Sequence, residues 1–250
     1  MSQRISGALR AYTGAQGAST LARAIGVVAV SHFASSLCHR KLAERASAVP
    51  DPGARPTIIV HNQPLATYVQ AMLAGDWTAV GDMLVRSAQA LARAGADFCV
   101  MPDNLAHHAA HFAAEASPIP WLNMIDIVAE RVARDGRNVV GIVGAKMVMN
   151  GSIYQSMLGL RGVSLLPPDP DDQQAIDDII FRQLIHGVVQ RESKERFEQA
   201  LTRLANKGCE GVIYASSELP LLLAPGKCPL PAYDPVELLV ERAMTAAVQR

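Results

Sequence analysis

What this chain is short of narrows the field first. It has no surplus of charge: 23 basic and 23 acidic residues cancel to a formal net charge of zero. That removes the electrostatic footprint expected for binding nucleic acid or an anionic membrane. Aromatic residues are only 5%, so a stacking platform for bases is missing as well. The four cysteines (Cys38, Cys99, Cys209 and Cys228) show no CxxC spacing and no secretory context, which argues against a disulfide framework or a zinc site. No apolar run reaches the length of a membrane span. The expectation is a soluble, cytoplasmic protein. Acids are missing altogether from residues 1–43, and Arg4 and Arg10 sit among Ser, Gly, Ala and Thr. Residues 1–24 therefore read as a flexible N-terminal extension, with a targeting peptide as the alternative.

What is present is ample apolar material. Half of the 250 residues are hydrophobic, enough for one large domain or two small ones. Buried-strand patterns occur over 25–30, 57–60 and 98–101, and helical spacing over 36–46, 65–74 and 77–94, the last with Asp76 as N-cap. The order then returns. Strand patterns recur at 139–144, 162–166 and 211–214, and helical ones at 173–190 and 193–207. Strands alternating with helices predict a parallel sheet covered on both faces.

The second round echoes the first in detail. Residues 91–103 (LARAGADFCVMPD) align with 204–216 (LANKGCEGVIYAS), an offset of 113 positions that pairs Asp103 with Ser216. The fold expected is α/β, built as two pseudo-symmetric Rossmann-like halves with mostly parallel four-stranded sheets. Residues 25–117 plus 225–250 form the first half and 118–224 the second. Such halves face each other across a cleft lined by strand tips, which places Asp103 and Ser216 on opposite walls.

Other polar residues near those tips are candidates with competing bland readings. His107 either orients Asp103 and serves as a general acid, or is a helix-start residue bonded to backbone. Asn62 and Asn104 are expected as neutral substrate contacts. Lys146, at the matching tip of the second half, either pairs with a substrate carboxylate or is a solvated loop lysine. Glu218 either steadies the loop after Ser216 or pairs with Lys146. His107 and His111 have the i, i+4 spacing of a metal pair but lack a matching carboxylate motif, so no metal is expected. A Ser216–His107–Asp103 triad lacks the Gly-x-Ser-x-Gly elbow, and Asp103 and His107 are only four residues apart. The turn after Val30 lacks Gly-x-Gly-x-x-Gly, which argues against a dinucleotide.

From 25 to the C-terminus the chain resembles the cofactor-independent aspartate/glutamate racemase superfamily, which also includes hydantoin racemases, maleate isomerases and arylmalonate decarboxylases. The family's Pro-Cys-Asn-Thr-Ala-His reads here Pro102-Asp103-Asn104-Leu105-Ala106-His107. Its Gly-Cys-Thr-Glu reads Ala215-Ser216-Ser217-Glu218, followed by Leu219-Pro220. Gly75-Asp76-Trp77, Gly144-Ala145-Lys146 and Asp234 also match. The resemblance implies no cofactor, a small carboxylate-bearing substrate and a homodimer. It also implies Asp103, Ser216 and His107 as catalytic positions, with His32, Asn62, Asn104, Lys146, Ser217 and Glu218 around the substrate. His32 stands where the family's glycine-rich turn would be.

The departures fall on the chemistry. The family's two thiols, one on each face of the substrate carbon, are replaced by Asp103 and Ser216. A free thiol titrates near about 8.5 and a carboxyl near about 3.9, so Asp103 gives up roughly 6 kcal/mol of proton affinity; burial recovers part of it. A serine hydroxyl cannot act as a base without a partner. The expected activity is therefore one-sided proton chemistry (isomerisation, elimination or decarboxylation) rather than two-thiol racemisation. The alternative is a catalytically silent member that binds a small acid or serves as a partner subunit.

Overall fold

In a computed structural model, residues 22–248 are described. Strands β1 (Ile25–Ala29), β2 (Ile58–Asn62), β3 (Phe98–Val100) and β4 (Trp121–Leu122) form one sheet in the order β2-β1-β3-β4. Strands β5 (Val139–Gly144), β6 (Ser164–Leu166), β7 (Gly211–Ala215) and β8 (Ala232–Tyr233) form a second in the order β6-β5-β7-β8. Every pairing is parallel, and the two orders are the same pattern repeated. The α/β fold with two four-stranded parallel sheets is as expected from the sequence. The inner strands are buried along their length because β-branched and small apolar residues fill them.

Helices α1 (His32–Ser47), α2 (Leu65–Leu73), α3 (Trp77–Arg93), α4 (Ala110–Ala116) and α5 (Met124–Arg134) serve the first round. In the second round come α6 (Lys146–Met149), α7 (Ser152–Gly159), α8 (Pro170–Arg182), α9 (Arg191–Asn206) and α10 (Pro235–Val248). The expected cap is present: Asp76 accepts the Ala79 amide hydrogen at 2.9 Å. The echoed glycines Gly95 and Gly208 both close their helices with positive φ, 95° and 90°, a conformation that glycine adopts without a Cβ clash.

Several expectations need correction. Helix α1 begins at His32 rather than Ser36, because Ser31 caps it by accepting the Ala34 amide hydrogen. The helix expected over 173–190 runs instead over Pro170–Arg182, with Pro170 in its first turn and Asp171 and Asp172 at its positive end. A 3-10 turn (Leu184–His186) and left-handed Gly187 then end it. Sheet membership also cuts the chain differently from boundaries at 118 and 225. Trp121–Leu122 pairs with β3, in the first sheet, and Ala232–Tyr233 with β7, in the second. Residues 235–248 do lie on the first half's α1, where Glu237 receives Lys41 at 2.5 Å and also binds Arg45. The extension expected over 1–24 lies outside the described residues except for its last three. Two of these are tied down: Arg23 N–H donates to Ala247 at 2.9 Å and Ala24 N–H to Asp97 at 2.6 Å.

The core explains why the two rounds act as one body. One apolar cluster runs through both halves, joining Val27, Phe98 and Val100 to Val140, Ile142 and Ile213 by way of Val128, Tyr154 and Leu239. Each half has a second cluster on its outer side. The shared cluster holds the strand tips of β3 and β7 in a fixed relation, which any site built from both requires.

Candidate active site

The first wall is the turn after β3. Met101 and Pro102 are buried, and Asp103 follows with part of its surface open. Its carboxylate accepts the Ala106 amide hydrogen at 2.8 Å. Burial pushes the Asp103 carboxyl up from its ordinary value; the Ala106 amide opposes this, and the negative charge of Glu218 adds to it. The amides of Leu105 and Ser31 also favour the ionised form. That Glu218 is felt at Asp103 matters, since Glu218 belongs to the other half.

The second wall is the turn after β7. Ser216 donates its hydroxyl hydrogen to Glu218 Oε2 at 2.7 Å, and Ser217 donates to the same oxygen at 3.0 Å. Glu218 is 7% exposed and each serine 8%. The turn is anchored beyond them by Leu219, Leu222 and Leu223, which pack into the outer core of the second half. Gly144, at the tip of β5, lets that strand approach: a Cβ there would sit 2.6 Å from the Ala215 carbonyl oxygen.

One contact between the halves was not singled out by the sequence. Tyr154, on α7, is fully buried and donates its hydroxyl hydrogen to Asn104 Oδ1 at 2.6 Å. Asn104 thus bridges the halves. The Tyr154 phenol is raised well above its ordinary value by burial, with the charge of Asp234 adding to it. Asp234 in turn caps α10 by accepting the Val236 and Glu237 amide hydrogens at 3.0 and 3.2 Å. A tyrosine in an apolar helical stretch carries no sign of such a role; only its pairing with Asn104 reveals it.

His107 is the principal correction. Its Nδ1 lies 2.6 Å from the Asp103 backbone carbonyl, and its Nε2 accepts the Met124 amide hydrogen at 3.1 Å. Both nitrogens are used by backbone, so the ring neither orients the Asp103 carboxylate nor offers a proton to the cleft. Burial lowers it to about 4, against the pull of the Asp103 carbonyl, leaving a neutral ring that donates at Nδ1. The bland reading of His107 is the right one.

The remaining candidates lie further out. His32 is the exposed first residue of α1. Asn62, exposed at the tip of β2, donates to the Ala29 carbonyl at 3.1 Å. Lys146 is exposed; its amide donates to Asp177 at 2.7 Å and its ammonium to Gln174 at 3.0 Å, not to Glu218. Hydrogen bonds join Ser216, Ser217 and Glu218 to one another and Asn104 to Tyr154, and the charge of Glu218 adds to the rise of the Asp103 carboxyl, whereas His32, Asn62 and Lys146 make no bond to any of them. None of the buried thiols stands in for the missing pair. Burial pushes Cys38 and Cys99 up to about 12 and raises Cys209, so these remain protonated and inert.

Comparison with known proteins agrees with this architecture. The family model described as Asp/Glu/Hydantoin racemase matches residues 25–243. A candidate Asp/Glu racemase from Yersinia pestis superposes with a TM-score of 0.84 at 23% identity, over 91% of this chain and 100% of that one. An aspartate racemase homologue from Pyrococcus horikoshii OT3 gives 0.79 at 24% identity, again over 91% and 100%. An arylmalonate decarboxylase is more distant, with a TM-score of 0.55 at 14% identity over 90% and 92%. At these identities the likeness is one of fold.

Proposed function

The chain belongs to the Asp/Glu/hydantoin racemase family, and on that premise we propose that it is a cofactor-independent enzyme acting on a small carboxylate-bearing carbon acid, an amino acid or dicarboxylate derivative. The reaction is proton chemistry carried by Asp103 at one face of the substrate carbon, in an isomerisation, elimination or decarboxylation. Ser216 is the partner at the opposite face. Asn104, Ser217 and Glu218 contact or shape the substrate, with His32, Asn62 and Lys146 at the entrance. The observation that carries this reading is the Asp103 carboxyl itself. It follows strand β3, accepts the Ala106 amide hydrogen at 2.8 Å, and has a proton affinity raised by burial, the direction in which a carboxyl is tuned for general acid or base work.

The family supports an enzyme of this class, since proteins of its fold include racemases and a decarboxylase. Replacement of the paired thiols argues for proton transfer that does not depend on thiolate. The test is incubation of the full-length protein in deuterated water with L- and D-aspartate, L- and D-glutamate and phenylmalonate, followed by proton NMR. We expect deuterium incorporation or turnover with at least one probe, and loss of it in Asp103→Ala. Equal activity of Asp103→Ala on the probe that reacts would refute the assignment; tight binding without turnover would favour a silent, acid-binding member. We also propose a cytoplasmic homodimer on the strength of the family resemblance, which light scattering on the eluted peak tests for the oligomer.

A further inference from the structure

The Asp103 carboxylate is anchored within its own turn, by the Ala106 amide at 2.8 Å, so its position follows that of residues 103–108. Leu105 packs that turn against both the shared core and the outer cluster of the first half, and His107 accepts the Met124 amide hydrogen at 3.1 Å. Two more contacts come from a single turn of the second half. Tyr154 donates to Asn104 at 2.6 Å. Gly151, three residues before Tyr154 and so its neighbour on α7, receives the ring of His108. A Cβ at Gly151 would lie 3.0 Å from His108 Nε2, 3.2 Å from its Cε1 and 2.9 Å from the Met147 carbonyl oxygen. The backbone does not ask for glycine here: φ is −78° and ψ 158°, an extended conformation open to any residue. Gly151 is also the N-cap of α7, where a serine, threonine, aspartate or asparagine would supply a side-chain bond that is missing. What glycine supplies is room for a close approach. The His108 ring also packs on the Trp77 indole, with ring centroids 4.8 Å apart. Burial lowers the ring below its ordinary value, so it packs as a neutral group.

We propose that Gly151 and His108 form a docking contact through which the second half sets the position of the Asp103 turn, and that Gly151, His108 and Tyr154 are positioning residues for the chemistry at Asp103. This rests on the reading of Asp103 as the group that transfers the proton. Each of the three acts through the turn rather than on the substrate. A single contact would leave the turn free to pivot about it. Two contacts, at Asn104 and at His108, resist rotation as well as displacement, and both are made by the same turn of α7. The place of Asp103 then depends on the opposite half of the molecule. A shift of about 1 Å at a reacting group can cost about 100-fold in rate, so a packing contact with no chemistry of its own carries catalytic weight. It accounts for a glycine at a position where a capping side chain would stabilise the helix.

Amide hydrogen exchange, followed by NMR on the full chain, tests the docking without a substrate. His108→Ala and Tyr154→Phe should each speed exchange of the Ala106 amide about 10-fold or more, beyond any change at the amides of β1 and β5, which open only with the whole fold. Gly151→Ala should do the same by pushing against the ring. Adding His108→Ala to Gly151→Ala should then cost little or restore protection, because the ring is what the methyl meets; only the crowding at the Met147 carbonyl stays. An Ala106 amide within about threefold of the parent in all three single variants would overturn the docking. The deuterium-exchange panel tests the consequence. On the probe that reacts, each variant should lower kcat about 10-fold or more with KM within about threefold of the parent. The measurement is made well below the unfolding transition, where a merely structural loss leaves kcat unchanged. A parental kcat in variants whose Ala106 amide has lost protection would overturn the positioning role. A parent that exchanges none of the probes would overturn the Asp103 reading and the positioning role with it, leaving the docking contact to be judged by the Ala106 amide.

Discussion

Acid should weaken this protein through His107, and the size of the effect can be worked from the ring's surroundings. The ring is 6% exposed, donates from Nδ1 to the Asp103 carbonyl and accepts the Met124 amide hydrogen at Nε2. A proton added at Nε2 would set N–H against N–H and strip the first helical residue of α5 of its hydrogen-bond acceptor. Folding therefore depresses the ring from 6.5 to about 4. The unfolded chain binds this proton more readily than the folded one, so the stabilisation is complete above about pH 6.5 and is lost as the pH falls toward 4. A gap of roughly 2.5 units at 1.36 kcal/mol each is about 3 kcal/mol. Asp103 acts in the opposite sense, because its folded value is raised, so the parent alone would show a blunted slope. Urea unfolding of the parent and of His107→Gln at pH 7.5, 6, 5 and 4.5 separates the two, since Asp103 is common to both. The stability gap between them should shrink by about 2–3 kcal/mol across that range. A gap constant to within about 0.5 kcal/mol would show that His107 does not carry the proton linkage, and the backbone assignment of its two nitrogens would fall with it.

Two further outcomes follow from single contacts. Tyr154→Phe removes a buried donor and leaves Asn104 Oδ1 without its 2.6 Å partner, at a cost of about 1–3 kcal/mol; urea unfolding measures it, and adding Asn104→Leu should recover part of the loss. A loss below about 0.5 kcal/mol would mean that the halves are not linked through this bond. Gly144→Ala would place a methyl 2.6 Å from the Ala215 carbonyl oxygen and 2.8 Å from its carbon, overpacking worth about 1–3 kcal/mol. Calorimetry should show a lower Tm, and an unchanged Tm would mean that β5 and β7 do not approach this closely. Because Ala215 precedes Ser216, the same variant should also slow turnover.

Much of the frame could be read from local pattern. The strand runs ending at Ala29, Val100, Gly144 and Ala215 are long enough in apolar residues to declare themselves, and the glycines at 95 and 208 mark equivalent helix ends. Other elements are legible only in retrospect. Helix α5 has an Asn123 cap, accepting the Asp126 amide hydrogen at 3.1 Å, and a buried stripe through Ile125, Val128 and Val132; that periodicity was there to be found. The two-residue strands β4 and β8 were not, since two residues have no period, and they are what shifts the boundaries between the halves.

The sequence by itself determined the fold class, the duplication and the placing of Asp103 and Ser216 at equivalent strand tips, because each depends on hydrophobic patterning and an internal offset that persist wherever the chain goes. Tertiary structure alone decided what the neighbouring polar groups do. His107 is assigned to backbone by Met124, 17 residues away; Asn104 meets Tyr154 at a separation of 50; and the Asp103 carboxyl is raised by burial, with the charge of Glu218 from the other half adding to it. Proton affinity and hydrogen-bond role depend on burial and on which atoms lie within about 3 Å, and no spacing along the chain specifies either.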